Sequence, residues 1–576
     1  MWASWLPRWQ RQRANDPDKE DAIVAYDVLI RGGRIVDGTG KAAFLGDLAI
    51  EGDRIAALGQ IDGPAAHTID ASGHVVAPGF IDAHTHYDAQ LLWDPTANPS
   101  TAHGITTVLT GNCGYTLAPV RREDQDYLIA LFAAAEEIPK QALQQFAPFP
   151  WETFPDFLDS MEGRVGVNVV TQVGHSAVRR FVMGKTALER AATPDEVADM
   201  VAIVEAAIDA GAIGLSSSQA PHQRGEDGEH IPSFFADEAE MLALAEAVRR
   251  KGARLLSINP ATKRDGLNDA DRALLAELAD VSGAVVSWND FGMGTPNGDS
   301  VLEYMEAELA NGREIYAVAR CQRAETRFTL KKLSAVFANS EIWVDLSRLD
   351  SEEKLTALAD PEWRAKLAVF WETAAFMVNA SVEKSATPET KALEGRLLVD
   401  IAEERGCTPA DVMFDVASAD HLETFFRITG PVNVDESRLE RILKSPATLV
   451  GISDGGAHLQ TFAGGDYTSY FLAHWVREKE SFSLEEGVAA LTSRVAEFLG
   501  LRERGTLEVG KAADVVVFDP STVAPLALQT LDDIPGGGTR MTKASTGIPW
   551  VLVNGVPVVK EGRATSSTPG AVLRQG

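Results

Sequence analysis

Eight short apolar runs, most of them separated by helical patterns, constrain this chain more than any other feature. They are VVAPGFIDAHTH (75–86), ITTVLTGNCG (105–114), VGVNVVTQVGH (165–175), AIGLSSSQ (212–219), ARLLSIN (253–259), AVVSWND (284–290), EIYAVARC (314–321) and TLVGISD (448–454). Between them lie amphipathic stretches such as PDEVADMVAIVEAAIDAG and DEAEMLALAEAVRRKG. Apolar runs that alternate with helices are the pattern of a parallel sheet. Eight such units predict an α/β chain built on a (β/α)8 TIM barrel, with an open doubly wound sheet as the alternative.

The two ends have a different texture. Residues 26–77 read YDVLIRGGRIVDGTG, DLAIEGDRIAALG and HTIDASGHVVAPG, and the C-terminal part reads GTLEVGKAADVVVFDP and PWVLVNGVPVVKEGRAT. Alternating strands with Gly, Asp and Asn-Gly turns predict antiparallel sheet. The expected arrangement is a small β-sandwich domain formed by 23–76 plus 503–565, around a barrel spanning 77–502. Residues 1–22 read as a flexible extension. The stretch between Cys321 and Thr448 is several times longer than one helix needs, which predicts an inserted subdomain at about 325–430.

The balance of 53 Lys+Arg against 83 Asp+Glu gives 53 − 83 = −30 over 576 residues. That field repels phosphate, so nucleic acid is not an expected partner. The three cysteines, Cys113, Cys321 and Cys407, form no disulfide framework or CxxC site, which points to a cytoplasmic protein. No apolar run reaches the roughly 18 residues of a membrane span. Barrels of this size often self-associate, so a homo-oligomer is part of the expectation.

Barrel enzymes carry their chemistry at the C-terminal ends of the strands. Here those ends supply His84 and His86, Cys113, His175, Gln219, Asn259, Asn289, Arg320 and Asp454. Residues two apart on a strand share a side, so the histidines of HTH can grip one ion. Cys113 in GNCG would add a thiolate and Asp454 in ISDGGAH a carboxylate from across the ring.

Together these stretches resemble the amidohydrolase superfamily, and within it the N-acyl-D-amino-acid deacylases (D-aminoacylases), in a divergent long subgroup. HTH and the terminal strands resemble the superfamily as a whole, whereas GNCG and GHSAVR resemble the D-aminoacylase branch. Many relatives carry a carboxylated lysine on the fourth strand, where this chain reads GLSSSQ. Typical members also present histidines at the fifth and sixth strand ends, where this chain has Asn259 and Asn289. The expectation is therefore one divalent metal site, for zinc, made by His84, His86, Cys113 and Asp454, and no well-formed second site.

The function expected is metal-assisted hydrolysis of a linear amide, releasing a carboxylate and a free D-amino acid. Asp454 would move the proton and His175 would help to stabilise the oxyanion. Arg179, Arg224, Arg320 and Arg323 are candidates for the substrate carboxylate, with Asn259 and Asn289 facing the substrate. Two alternatives stay open: an amidohydrolase acting on a cyclic amide, an imide or an ester, and a barrel that binds a ligand without turnover.

Overall fold

A computed structural model of the chain describes residues 26–575 apart from 293–294, 324, 334–336, 338–339 and 430–434; the 1–22 stretch lies outside them. Eight strands form its centre: β1 (Phe80–Asp82), β2 (Ile105–Thr110), β3 (Asn168–Thr171, continued by Val173–Gly174) and β4 (Gly214–Ser218), then β5 (Leu255–Asn259), β6 (Val285–Phe291), β7 (Ile315–Arg320) and β8 (Thr448–Gly451). Each pairs in parallel with the next. The ring closes where Thr85, just past β1, bridges in parallel to Gly455, and the His86 N–H donates to the Gly455 carbonyl at 2.8 Å. The protein is a TIM barrel with a β-domain.

The strands are apolar on both faces because both faces are covered. Inside, Ile81, Leu109, Val170, Ile213, Leu255, Val285, Val318 and Leu449 meet in one cluster, floored by Val495, Ala496 and Phe498. Outside, Val108, Val169, Leu215, Leu256, Val286 and Val450 pack into a second cluster shared with the surrounding helices. Those helices start where capping chemistry tells them to. Thr193 and Glu196 form a capping box at Pro194–Asp209, Asp237 caps Glu238–Arg250, and Asn268 caps Asp269–Ser282. Each cap contributes about 1 kcal/mol.

The chain ends meet in one nine-stranded sheet. Its seam is the antiparallel pairing of Val75–Pro78 with Val515–Phe518. Beyond the sheet, the chain runs back under the barrel, where Val169 N–H donates to the Ala571 carbonyl and Leu573 N–H to the Val169 carbonyl.

Between β7 and β8 a separate core forms around Phe328, Trp343, Leu358, Leu367, Phe414 and Phe426. It is built on a three-stranded antiparallel sheet with Phe425–Thr429 in the centre, flanked by Glu325–Phe328 and Ala380–Lys384. Its residues Lys332, Phe337 and Phe370 line the same cavity as the strand-end residues, so this insert covers the barrel mouth. Among the described residues no helix is long and apolar enough to cross a membrane.

Candidate metal centre

The cavity at the C-terminal end of the barrel has a volume of about 1450 Å³ and reaches His84, His86, Cys113, Asn289, Arg320 and Asp454. His84 and His86 follow β1 and lie only 4% and 3% exposed. Cys113 Sγ lies 3.7 Å from His84 Nε2 and 3.9 Å from His86 Nε2, and Asp454 Oδ1 lies 3.5 Å from His84 Nε2. Bonds of about 2.0–2.3 Å from zinc to nitrogen and sulfur place tetrahedral ligands about 3.3–3.8 Å apart, so His84, His86 and Cys113 suit a zinc ion, with Asp454 beside them.

The local electrostatics suit the same reading. Burial lowers the pKa of His84 to about 4 and that of His86 to about 3, so both imidazoles are neutral and their lone pairs are available. Burial opposes ionisation of Asp454, but the neighbouring Arg320 guanidinium outweighs it and keeps the carboxylate charged. Arg320 holds Asp454 Oδ2 at 2.7 Å, which leaves Oδ1 turned toward His84. Burial, reinforced by nearby Glu136, pushes the Cys113 thiol up to about 12 when no cation is present. A divalent ion reverses that balance, because a coordinating thiol ionises.

Local backbone conformation aims two of these groups. Cys113 has φ 57° and Asp454 has φ 49°, left-handed values that cost non-glycine residues about 1–3 kcal/mol. The cost is met where each strand end breaks sharply to turn its side chain inward.

Asn259 ends β5, Asn289 lies near the end of β6, and both sit against the same sulfur. Their amide nitrogens donate to Cys113 Sγ at 3.3 and 3.2 Å, and Asn289 also approaches His84 Nε2 at 3.0 Å. Both side chains are buried, and of the two only Asn289 reaches the cavity lining.

Several assignments made from sequence need correcting. His175 is fully buried behind β3 and β4, with Nδ1 at 2.8 Å from Ser217 Oγ and Nε2 at 2.8 Å from Glu240 Oε1. Arg179, on the same helix His175–Met183, is also fully buried, paired with Glu240 and donating to the Arg190 carbonyl at 2.9 Å. Neither lines the cavity; both belong to a buried ion-pair network. Arg323 is exposed and outside the lining as well. Arg224 and Arg320 do line it, but Arg224 pairs with Glu341 at 3.0 Å and Arg320 with Asp454. His421 of the insert is exposed and away from the lining.

Loops after the strands bring further groups to the site that no strand-end position carries. Glu136 follows the helix Gln125–Ala135, and its Oε2 lies 3.5 Å from His86 Nδ1. Burial raises its carboxyl to about 8. His458 lies 3.2 Å from Glu137; burial opposes its protonation, but Glu137 wins and lifts its pKa to about 9. Lys263 and Arg264 come from the loop after β5 and line the cavity beside His222. The available signal was the barrel rule itself, which gives the βα-loops as much of the site as the strand tips.

This fold and this constellation define a class. The Amidohydrolase family model matches residues 67–559, and the chain belongs to that family. It is 32% identical to a D-aminoacylase of Alcaligenes xylosoxydans xylosoxydans over 554 residues, covering 95% of this chain and 97% of the relative. It is similar in structure to an N-acyl-D-glutamate deacylase from Bordetella bronchiseptica complexed with zinc and a phosphonate mimic of the tetrahedral intermediate (TM-score 0.66, 28% identity, covering 96% of this chain and 100% of that one). It is equally similar to a D-aminoacylase described by a binuclear metal center with one-metal activation and second-metal attenuation (TM-score 0.66, 28% identity, covering 96% and 100%).

Proposed function

We propose that the protein is a zinc-dependent hydrolase of linear amides that deacylates N-acyl-D-amino acids. The observation that carries this reading is the convergence of His84, His86 and Cys113 at metal-ligand spacing on the floor of a deep cavity, with the Asp454 carboxylate 3.5 Å from His84. A bound ion supplies polarisation of the amide carbonyl and a lower pKa for the attacking water.

The side chains do the rest. His84, His86 and Cys113 hold the ion, and Asp454 Oδ1 takes the proton of the attacking water and returns it to the leaving nitrogen. Arg320 keeps that carboxylate aimed by binding its other oxygen. Glu136 lies on the far side of the His86 ring, 3.5 Å from Nδ1, the position from which carboxylates orient metal-bound imidazoles.

An acylamino acid is an anion, and the protein carries −30, so attraction must be local. Arg264 lines the cavity, where burial first and then the Arg264 charge depress the pKa of His222, and it is the cation proposed to receive the substrate carboxylate. Arg264→Met should raise KM for an N-acyl-D-amino acid by about 10–100-fold with little change in kcat, the loss of one hydrogen bond between charged groups. Unchanged KM in steady-state assays would remove Arg264 from that role.

The reading itself is tested by a panel of N-acyl-D-amino acids, N-acyl-L-amino acids, hydantoins and lactams. Release of a free D-amino acid from the first group is the expected result. Ring opening alone would favour a cyclic amidase, and no turnover of any member by zinc-loaded protein would favour a binding barrel. The free state of Cys113, Cys321 and Cys407 suits a reducing compartment such as the cytoplasm.

A further inference from the structure

The sulfur of Cys113 has two flanks. One faces the imidazoles of His84 and His86. The other faces the carboxamides of Asn259 and Asn289, both of which donate to it. Each carboxamide turns its oxygen away from the sulfur toward one group: Lys263 Nζ donates to Asn259 Oδ1 at 3.2 Å and to Asn289 Oδ1 at 2.7 Å. Lys263 is only 7% exposed. Its amine thus sits beyond the tips of β5 and β6, bridging two amides that in turn bridge to the thiol.

A binuclear centre needs a second cation beside the first. Neutral amide oxygens are poor partners for zinc, whose ligands are thiolate, imidazole and carboxylate. They are good acceptors for an ammonium, which has three donors and no acceptor. A side-chain amine already held by both oxygens also fills the space a second ion would need and would repel it. The residues on this flank therefore do not fit a second metal.

We infer that Lys263 stands in for the second cation of a binuclear centre: the Asn259–Asn289–Lys263 cluster makes this a one-metal site by construction, with the lysine supplying a fixed positive charge to the sulfur through two amides. The inference rests on the zinc reading of His84, His86 and Cys113 given above. It makes Lys263 a positioning residue, since it acts through Asn259 and Asn289.

The test is metal stoichiometry. Full-length protein is stripped with a chelator, dialysed against excess zinc or cobalt, and its metal-to-protein ratio measured by mass spectrometry, with circular dichroism to confirm folding. The wild type should hold one equivalent. The double variant N259H/N289H, with Lys263 retained, should still hold one. Adding Lys263→Ala to that double variant should raise the ratio to two, and the second cobalt should alter the thiolate-to-cobalt absorption. Two equivalents in the wild type or in the double variant would overturn the inference while leaving the deacylase reading intact. A triple variant that folds and holds only one would remove Lys263 as the barrier. No metal in the wild type would overturn the zinc reading itself, and this inference with it.

Discussion

Asp454→Asn should lower kcat for an N-acyl-D-amino acid by about 10²–10⁴-fold, the range expected for loss of a positioned proton carrier. The zinc content should be retained, because His84, His86 and Cys113 converge without help from position 454. Asparagine keeps the shape of the side chain and can still accept from Arg320, but it cannot take a proton. Steady-state kinetics read beside metal analysis separates the two roles of the carboxylate. If the variant turns over at a tenth of the wild-type rate or better, the proton carrier is some other group. If turnover falls only in step with zinc, Asp454 is a ligand and nothing more.

The second large effect is on stability. Glu240 is 1% exposed and binds both His175 and Arg179, each 0% exposed. Burial would raise its carboxyl pKa, yet these two partners hold it down to about 2. Glu240→Ala would leave the Arg179 guanidinium buried without its counter-ion, a change that costs about 3–5 kcal/mol. The unfolding midpoint in urea should fall accordingly. Pairing the substitution with Arg179→Met should recover much of the loss, since removing both charges removes the uncompensated one. A single variant within about 1 kcal/mol of wild type would mean that solvent reaches the network.

The barrel was legible in the sequence because a parallel strand covered on both faces tends to be apolar along its length, as most of the eight runs are, although Gly214–Ser218 reads GLSSS. HTH was legible for a related reason: spacing of two on a strand leaves little freedom in where the side chains go. The arginines were not legible. Arg179 lies on an amphipathic helix next to GHS, and no local pattern shows whether such a residue faces a cavity or a buried carboxylate 61 positions away. The same holds for Lys263. Its partners are four and 26 positions distant, and only closure of the ring brings β5 and β6 together above Cys113. The absence of histidine at 259 and 289 was plain from sequence; what replaced its function was a matter of tertiary placement.

The seam of the terminal sheet sets a timetable for synthesis. Val75–Pro78 pairs with Val515–Phe518, a segment made several hundred residues later. At about 5–20 residues per second, the first strand waits for tens of seconds with an apolar edge unpaired. Contacts so distant along the chain also slow folding once the whole is made. The barrel between them cannot be sealed beneath until Ala571 and Leu573 reach Val169. The nascent protein therefore depends on shielding of that early edge, and its yield in cells should respond to chaperone supply more than the stability of the finished molecule would suggest.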